Sequence, residues 1–561
     1  MNKICKQCGA KFEISDSDLR FYDKVSPVIN GKKFLVPPPT LCPEDRFRRR
    51  IVWRNERGLY RRKCDKTGET IISWISPDKP HKVYKKSEWW GDSWDARDYG
   101  RDFDFNRPFF EQFEELLKEV PWIDLLVDNT VNSDYTNFCN NLKNCYLVYA
   151  SNNNQDSMYC SYVWGANDCI DCLQLFDCQL CYECVDLTNC YGCKFLRNCN
   201  NCSDLAFCYG CQNCQNCAFC VNLVGKKYCF FNEQLSEAQY KKRLAEVDTG
   251  FYSAVRKAKK LFEEHKKKFP VRFAKILNCE NCTGDEIKNC KNTDEAFDSS
   301  GAEDCKWLWL CSDPVKDCYD VSGTEQAELC YDTVCVGIPA TRVLFSVYVW
   351  KGINEVLYSV LSPGSKNCFG VMGLKFGKYC ILNKQYTKEG YEKMIVKIIE
   401  HMKETSEWGE LFPARLSPFG YNETLAQDYF PLKKDDALKA GFNWSDYEHP
   451  ALQFDKVIKA AQVSDNISDV NENITSSVVE CEVSGKYFKI LPQELKFYKM
   501  NKLPLPRKHP DQRHMDRLAL RNPRKLWERK CDKCNSLIKT TYAPQRPEKV
   551  YCEKCYLGEV Y

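Results

Sequence analysis

Between Cys139 and Cys229 the chain places 18 of its 37 cysteines, many in Cys-x-x-Cys pairs such as Cys169/Cys172, Cys190/Cys193, Cys199/Cys202 and Cys208/Cys211. No other feature restricts the fold as strongly. Shifting the numbering by 21 superposes Cys139 on Cys160, Cys181 and Cys202, and Cys178 on Cys199 and Cys220. A recurrence of this order marks a solenoid, whose coils stack around one continuous core. The same columns also admit other residues. Cys202 continues to Leu223, Cys145 runs through Ala166 and Leu187 to Cys208, and Leu142, Val163, Cys184 and Leu205 form a further column. A metal ligand cannot be exchanged for leucine, whereas a small hydrophobe in a narrow interior can. Only six histidines exist to help bind metal, and none lies between 82 and 264. The expectation is therefore a β-solenoid of ~21-residue Cys-rich coils filled with buried thiols, not a metal or cluster array. Asparagine before cysteine, as at Asn144, Asn189, Asn198, Asn201, Asn213 and Asn216, suits corners that need left-handed backbone.

The two ends of the chain are copies of one module. A shift of 467 lays Cys42–Trp89 on His509–Tyr556 without a gap, matching Arg46, Arg54, Arg62, Cys64 and Asp65 with Arg513, Arg521, Arg529, Cys531 and Asp532. Upstream, a shift of 476 aligns Cys5, Gly9, Phe21 and Tyr22 with Cys481, Gly485, Phe497 and Tyr498. The C-terminal copy carries Cys531-x2-Cys534-x17-Cys552-x2-Cys555, the spacing of a closed structural Zn²⁺ site. Its N-terminal counterpart, Cys64, Thr67, Lys85 and Glu88, has lost the ligands. The N-terminal copy instead keeps Cys5, Cys8, Cys42 and Asp45, where the other end has Cys481, Ser484, His509 and Gln512. Two zinc ions per chain are predicted, each copy of an ancestral two-site module having lost a different site.

Charge is distributed unevenly. Residues 1–90 and 481–561 each carry a net +10, and residues 91–480 carry −16. After Pro43 come Arg46, Arg49, Arg50, Arg54, Arg57, Arg61 and Arg62; after Pro510 come Arg513, Arg517, Arg521, Arg524 and Arg529. Proline at a first helical turn and a three-to-four-residue arginine spacing predict a helix with a basic stripe, ended in the second copy at Asn522-Pro523. Such a stripe suits phosphate. The alternatives are a solvated surface or an acidic protein partner, including this chain's own middle.

A Cys-x-x-Cys hairpin followed by Cys42-Pro43 and a basic helix resembles zinc-ribbon and treble-clef modules, a class common among nucleic-acid-binding proteins. The whole arrangement is similar to cysteine-rich zinc-ribbon proteins of small-genome, uncultured bacteria, a resemblance that implies zinc but no particular activity.

The remaining segments follow from composition. With 28% charged and 43% hydrophobic residues the chain is apolar enough to fold throughout. The predicted organisation is mixed and β-rich: a zinc module over 1–90, an acidic connector over 91–137 with a helix near Pro108–Lys118, and a first solenoid section over 138–234. A helical run near Ser236–Lys268 within 235–270 precedes a second solenoid section over 271–385. Residues 386–480 read as helix, irregular segment and polar linker (Val463–Ser477), and 481–561 as the second module. The phrases Lys227–Gln234 and Lys378–Gln385 are near copies, so the solenoid is duplicated too. Tyr146, Tyr149, Tyr159, Tyr162 and Trp164 are candidates for an exposed contact face. No Ser-His-Asp set, phosphate-binding glycine loop or carboxylate pair is recognisable, and His509, His514 and Asn522 fall in a site that has lost its ligands. The opening residues Met1–Cys5 have no apolar leader core and no run is long enough to span a membrane, so a cytoplasmic protein is expected. Two readings of function stay open. One is a nucleic-acid-binding protein, RNA slightly favoured, with a zinc module at each end of a rigid acidic body. The other is a protein-interaction scaffold.

Overall fold

The computed structural model describes residues 1–312, 315, 316, 319, 322–325, 327, 328, 330–336, 340–450 and 454–560. It contains two β-solenoids joined by helices and gripped by a module from each end of the chain. In the first solenoid every paired residue lies 12 positions from its partner: Cys139 pairs with Val127 and Ser151, Leu173 with Ser161 and Val185, and Leu187 with Cys199. Single bridges continue the parallel ladder through Ile170, Tyr182, Lys194, Ala206, Ala218 and Phe230. The solenoid expectation holds, but its period is 12 and not 21.

The backbone explains both numbers. Asn141, Asn144, Leu147, Ala150, Asn153 and Asp156 all have φ between 48° and 56°, so the chain turns through the left-handed region at every third residue. The residue after each corner points inward: Leu142, Cys145, Val148, Ser151, Asn154 and Ser157 are buried. Four such triplets close one coil. A shift of 21 is a whole number of triplets, so it lays inward positions on inward positions but moves them to a different wall. In the true column, Cys139 stacks with Ser151, Val163, Leu175, Leu187, Cys199 and Cys211, so cysteine still trades places with leucine, valine and serine.

Left-handed backbone costs an ordinary L-residue roughly 1–2 kcal/mol, less for asparagine and aspartate. The asparagines expected at corners are there: Asn144, Asn189, Asn198, Asn201, Asn213 and Asn216 have φ of 49° to 58°. Their amides also link coils, Asn189 Nδ2 donating to Asn201 Oδ1 and Asn201 Nδ2 to Asn213 Oδ1 at 3.1 Å each. Inside, the thiols make related bonds. Cys184 Sγ lies 3.3 Å from the Tyr182 carbonyl and 3.5 Å from that of Cys193, and Cys172 Sγ is 3.3 Å and 3.5 Å from Ile170 O and Cys181 O. Ser151 Oγ takes the same role, donating to Tyr149 O at 2.7 Å. Burial pushes the thiols of Cys139 and Cys199 above the ordinary thiol range, which keeps them neutral donors.

The second solenoid, from Ile276 onward, uses the same triplet with less regular coils. Ile276 pairs with Ile287, Gly284 with Ala296 and Val334 with Val347, so the period drifts from 11 through 12 to 13. Ser346, Ser359, Ser362 and Ser365 occupy buried positions there, their hydroxyls donating to backbone carbonyls. The two solenoids end identically. Cys229–Phe230 pairs with Glu233–Gln234, and Cys380 and Ile381 pair with Gln385 and Lys384, both antiparallel. Asn232 exchanges two 2.8 Å hydrogen bonds with the Val221 backbone, and Asn383 does the same with Met372. A helix then covers each end, Glu237–Ala245 burying Tyr240 and Lys388–Glu404 burying Tyr391.

Several boundaries differ from expectation. The run predicted over Ser236–Lys268 is two helices, Glu237–Ala245 and Tyr252–Lys266, and the connector helix is Phe109–Glu119. Residues 463–477 are not a free linker: Val463, Ile467 and Val470 are buried, and Ile467 N–H donates to Gly250 O at 3.0 Å. Their three-to-four-residue spacing buries one side of a strap. Tyr149, Tyr159 and Tyr162 are buried at 2–3% exposure, because the terminal modules cover them. Among the described residues no helix is long and apolar enough to cross a membrane.

Thiol accessibility tests this interior. In metal-stripped, folded protein, iodoacetamide labelling read by peptide mass spectrometry should modify Cys8, Cys534, Cys552 and Cys555, which are exposed or half-buried. Cys160, Cys172, Cys184 and Cys193 should stay unmodified until denaturant is added.

Candidate metal centres and an arginine clamp

Four hairpin turns in the two modules share one backbone. Cys5 N–H donates to Ala10 O at 2.8 Å and Gly9 N–H to Cys5 O at 3.0 Å. The same pair of bonds recurs at Cys64 with Glu69 and Gly68, at Cys481 with Lys486 and Gly485, and at Cys531 with Ser536 and Asn535. Gly9, Gly68, Gly485 and Asn535 all have φ between 61° and 74°, the conformation that folds the turn around a sulfur.

Two of the four turns have kept a full ligand set, and they are the two predicted. Cys5, Cys8, Cys42 and Asp45 offer ligand atoms that all lie within 4.8 Å of one another, as do Cys531, Cys534, Cys552 and Cys555. In the first, Cys8 Sγ is 3.7 Å from Cys42 Sγ and Cys5 Sγ is 3.1 Å from Asp45 Oδ2. Cys42 and Asp45 are the N-cap and third residue of the helix Pro43–Ile51, an end that favours negative charge. In the second, Cys534 Sγ is 3.7 Å from Cys552 Sγ, and Cys552 and Cys555 open the helix Glu553–Val560. Three or four thiols converging this closely fit a soft or borderline cation. Among the described residues the solenoid thiols form no such three-ligand group.

The degenerate sites keep their shape without a full ligand set. Lys85 N–H reaches Cys64 Sγ at 3.3 Å just as Cys552 N–H reaches Cys531 Sγ at 3.2 Å. Where the other ligands stood, Lys85 pairs with Glu69 at 2.8 Å and Lys66 with Glu88 at 3.1 Å. His509 is a helix N-cap, its Nδ1 accepting from Asp511 N–H. His514 is buried, and burial holds its pKa well below the usual range.

The arginine stripes are not presented to solvent. Arg46, Arg49, Arg50, Arg54, Arg62, Arg513 and Arg517 are buried, Arg57, Arg521, Arg524 and Arg529 are half-buried, and of the predicted set Arg61 alone is exposed. Arg49, Arg50, Arg513, Arg517, Arg521 and Arg524 bind carboxylates of the acidic body. Asp332 receives Arg49 and, at 2.7 Å, Arg50, and Asp171 receives Arg513 and, at 2.7 Å, Arg517. Arg521 joins Asp186, at 2.9 Å, to Asp298, which also binds Arg524 at 2.9 Å. Arg54 pairs with Glu56. Arg62 and Arg529 stay within their own modules, bonding Asp65 and Asp532 at 2.9 and 3.0 Å. The helices Pro43–Ile51 and Pro510–Leu518 are short. The second ends four residues before Asn522, which lets Arg521 and Arg524 swing onto Asp298.

Sequence reasoning found the arginines but not their sockets. Asp171 and Asp332 are themselves left-handed corners, with φ of 57° and 46°. Each follows an inward cysteine and an aromatic or aliphatic residue, as Cys169-Ile170-Asp171 and Cys330-Tyr331-Asp332. Ile170 lies five coils before the closing Phe230, and Tyr331 lies four coils before the closing Ile381, so both sockets belong to one duplicated column. That signal becomes visible only once the 12-residue coil is known.

Each module grips both solenoids. Val83–Tyr84 pairs with Trp122–Ile123 at the entrance of the first, and the equivalent Val550–Tyr551 pairs with Val271–Arg272 at the entrance of the second. The arginine helices grip the opposite way, Pro43–Ile51 on the second solenoid and Pro510–Leu518 on the first. The modules also touch. Arg57 meets Asp511 at 3.1 Å and Lys525 meets Glu44 at 3.1 Å, and Glu44 and Asp511 are equivalent positions. The two basic ends are therefore not held apart by the body, as a spacer would hold them. They meet across it in a reciprocal, pseudo-two-fold contact.

No protein-family model matches this chain, and no curated protein does. Among solved structures, a protein from Desulfovibrio desulfuricans G20, provisionally assigned as an acetyltransferase, aligns over 48% of this chain and 78% of its own at 8% identity. Its TM-score of 0.09 carries no structural argument.

The clamp makes two predictions. Asp171→Ala removes the carboxylate that two buried guanidiniums share, leaving Arg513 only the longer 3.8 Å ion pair with Glu494 and Arg517 a backbone carbonyl. It should lower stability by about 3–5 kcal/mol in denaturant titration, whereas the exposed Asp102→Ala should change it little. Burial alone would raise the Asp298 carboxyl, but Arg521 and Arg524 more than offset this and hold it at about 2 against an ordinary 3.8. A depressed carboxyl contributes stability that is complete above its unfolded value and is lost as pH falls through the folded one. Asp298 should therefore contribute on the order of 2 kcal/mol that disappears as pH falls from about 4 to about 2. Asp298→Asn should remove that part of the acid dependence.

Proposed function

We propose that the two cysteine-rich groups hold zinc, two ions per chain, and that the protein is a metal-braced interaction scaffold. The observation that carries this reading is the docking of both arginine helices on carboxylates of the same chain. A phosphate backbone would have to displace Asp171, Asp298 and Asp332 from buried pairs before it could reach the stripe, at a cost of several kcal/mol for each pair broken. Four thiolates with no open position fit a closed structural zinc site, and three thiolates with Asp45 offer the same number of ligands. When bound, zinc cross-links a hairpin turn to a helix start and takes part in no reaction. Cys42 and Asp45 stand at the root of the first arginine helix, so this ion braces the N-terminal module's arginine grip. Cys552 follows directly on Tyr551, so the other ion braces the C-terminal module's strand grip. With its ends folded back, the body of paired solenoids is the surface left for partners.

Elemental analysis and nucleic-acid retention test this together. Purified protein should carry two zinc and no iron, falling to one zinc in Cys531→Ser and in Cys5→Ser. In filter binding at about 50 mM salt, neither single-stranded RNA nor duplex DNA should be retained. Salt-dependent retention would return the arginines to a nucleic-acid role.

A further inference from the structure

Two solenoid thiols do not belong to the buried interior. Among the described solenoid side chains every cysteine is buried except Cys279 and Cys282, which are half-buried. Both lie on the first coil of the second solenoid. Ile276–Leu277 is the edge strand of its sheet, and Glu280 begins a second ladder by bridging to Lys291, so no coil precedes this one. The two sulfurs stand at the mouth of the tube, where solvent takes the place of the next coil.

The first solenoid shows what a mouth requires. Its first coil sets Thr130 beneath Leu142 and Ser133 beneath Cys145, both half-buried, and Ser133 Oγ accepts the Cys145 N–H at 3.1 Å. The second mouth repeats that bond with sulfur in place of oxygen, Cys279 Sγ accepting the Cys290 N–H at 3.3 Å. A hydroxyl serves this position better, because sulfur is the weaker acceptor. Filling a narrow interior is therefore not the reason for sulfur at a half-open position. The spacing and the bond are instead those of the terminal metal groups. Cys279-x2-Cys282 repeats Cys5-x2-Cys8 and Cys531-x2-Cys534. Cys5 Sγ and Cys531 Sγ likewise accept the backbone N–H of Cys42 and Cys552, at 3.3 and 3.2 Å. Buried solenoid thiols such as Cys172 and Cys184 face two carbonyls. A backbone N–H on sulfur favours the thiolate, the form that binds metal.

We propose that Cys279 and Cys282 form a further metal site, one that takes a soft monovalent cation of the copper(I) class. The two side chains interact directly. A closed zinc site uses four ligands, and only two sulfurs face outward here. Cys290 is buried behind Cys279, its own thiol 3.3 Å from the Lys288 carbonyl. Glu280, between the two cysteines, already pairs with Lys291 at 3.4 Å, so hard oxygen ligands are not on offer. A filled-shell monovalent ion is satisfied by two thiolates in line, and thiolate is the ligand that selects it. Each thiol gives its proton to solvent as its sulfur bonds the ion, and the Cys290 N–H stays on Cys279 Sγ. Two ligands at an open mouth also let the ion leave by exchange with an incoming thiol, which the closed terminal groups do not.

The test uses full-length, zinc-loaded protein under anaerobic conditions. The protein is equilibrated with copper(I) buffered by excess bicinchoninate and gel-filtered, and its copper and zinc are counted by elemental analysis. One copper per chain should be retained with both zinc ions still bound. Retained copper should fall by about tenfold or more in Cys279→Ser and in Cys282→Ser, and stay unchanged in Cys184→Ser, whose thiol is buried. Ser133 and Ser151 show that a hydroxyl fits such positions, and thermal unfolding verifies that each variant folds. A second readout needs no variant. Bound copper should protect Cys279 and Cys282 of the unmutated protein from iodoacetamide, read by peptide mass spectrometry. No retained copper, equal retention in the mouth variants, or unprotected Cys279 and Cys282 would overturn the proposal. So would copper gained only as zinc is lost, which would place it in the terminal groups.

Discussion

A backbone that turns through the left-handed region at every third residue sets the terms for everything built on it. Each corner aims the next side chain into a narrow four-sided tube, and that tube has little room. Its carbonyls also lie close to the inward side chains. Cysteine meets both demands, being nearly as small as alanine while its S–H reaches a carbonyl at 3.2–3.8 Å. Serine meets the second demand better and the apolar packing demand less well, and it occurs at the same positions, Ser151 and Ser157. The abundance of thiols thus follows from the width and polarity of the tube, and needs no metal.

The same corners do the docking. An aspartate in left-handed backbone projects outward from the wall, and Asp171 and Asp332 each offer both oxygens to two arginines. The acidic middle and basic ends, so conspicuous in the charge distribution, are the two halves of this clamp. What looks in the sequence like a surface prepared for an external polyanion is used to hold the molecule together.

Much of this was legible in the sequence where residue identity carries the signal. Both duplications could be read from matched residues, and so could the two surviving ligand sets, because a thiolate has few substitutes. The coil length could not, because any multiple of three keeps inward positions in register, and cysteine is frequent enough to reward a wrong multiple. The fate of the arginines could not either. Spacing shows that Arg513 and Arg517 share a helix face but is silent on which carboxylate, on a coil far upstream in the chain, meets them. Nor does composition show that the strap at Val463–Val470 packs, since its polar residues outnumber the three that are buried.

The crossed grip has a consequence for the order in which the chain can become a folded protein. Arg50 must wait for Asp332, 282 residues later, and Asp171 must wait for Arg517, 346 residues later. During synthesis the first arginine helix therefore emerges with its charges unmatched, and the first solenoid is complete long before its docking corner is filled. Contacts of such sequence separation slow folding and leave unfinished surfaces open to the wrong partner. The second solenoid fills the first vacancy, and the segment from Pro510 onward fills the other, docking on the first solenoid and pairing with the entrance of the second. Emergence of the segment from Pro510 to Tyr551 is thus the event that joins the two tubes into one body.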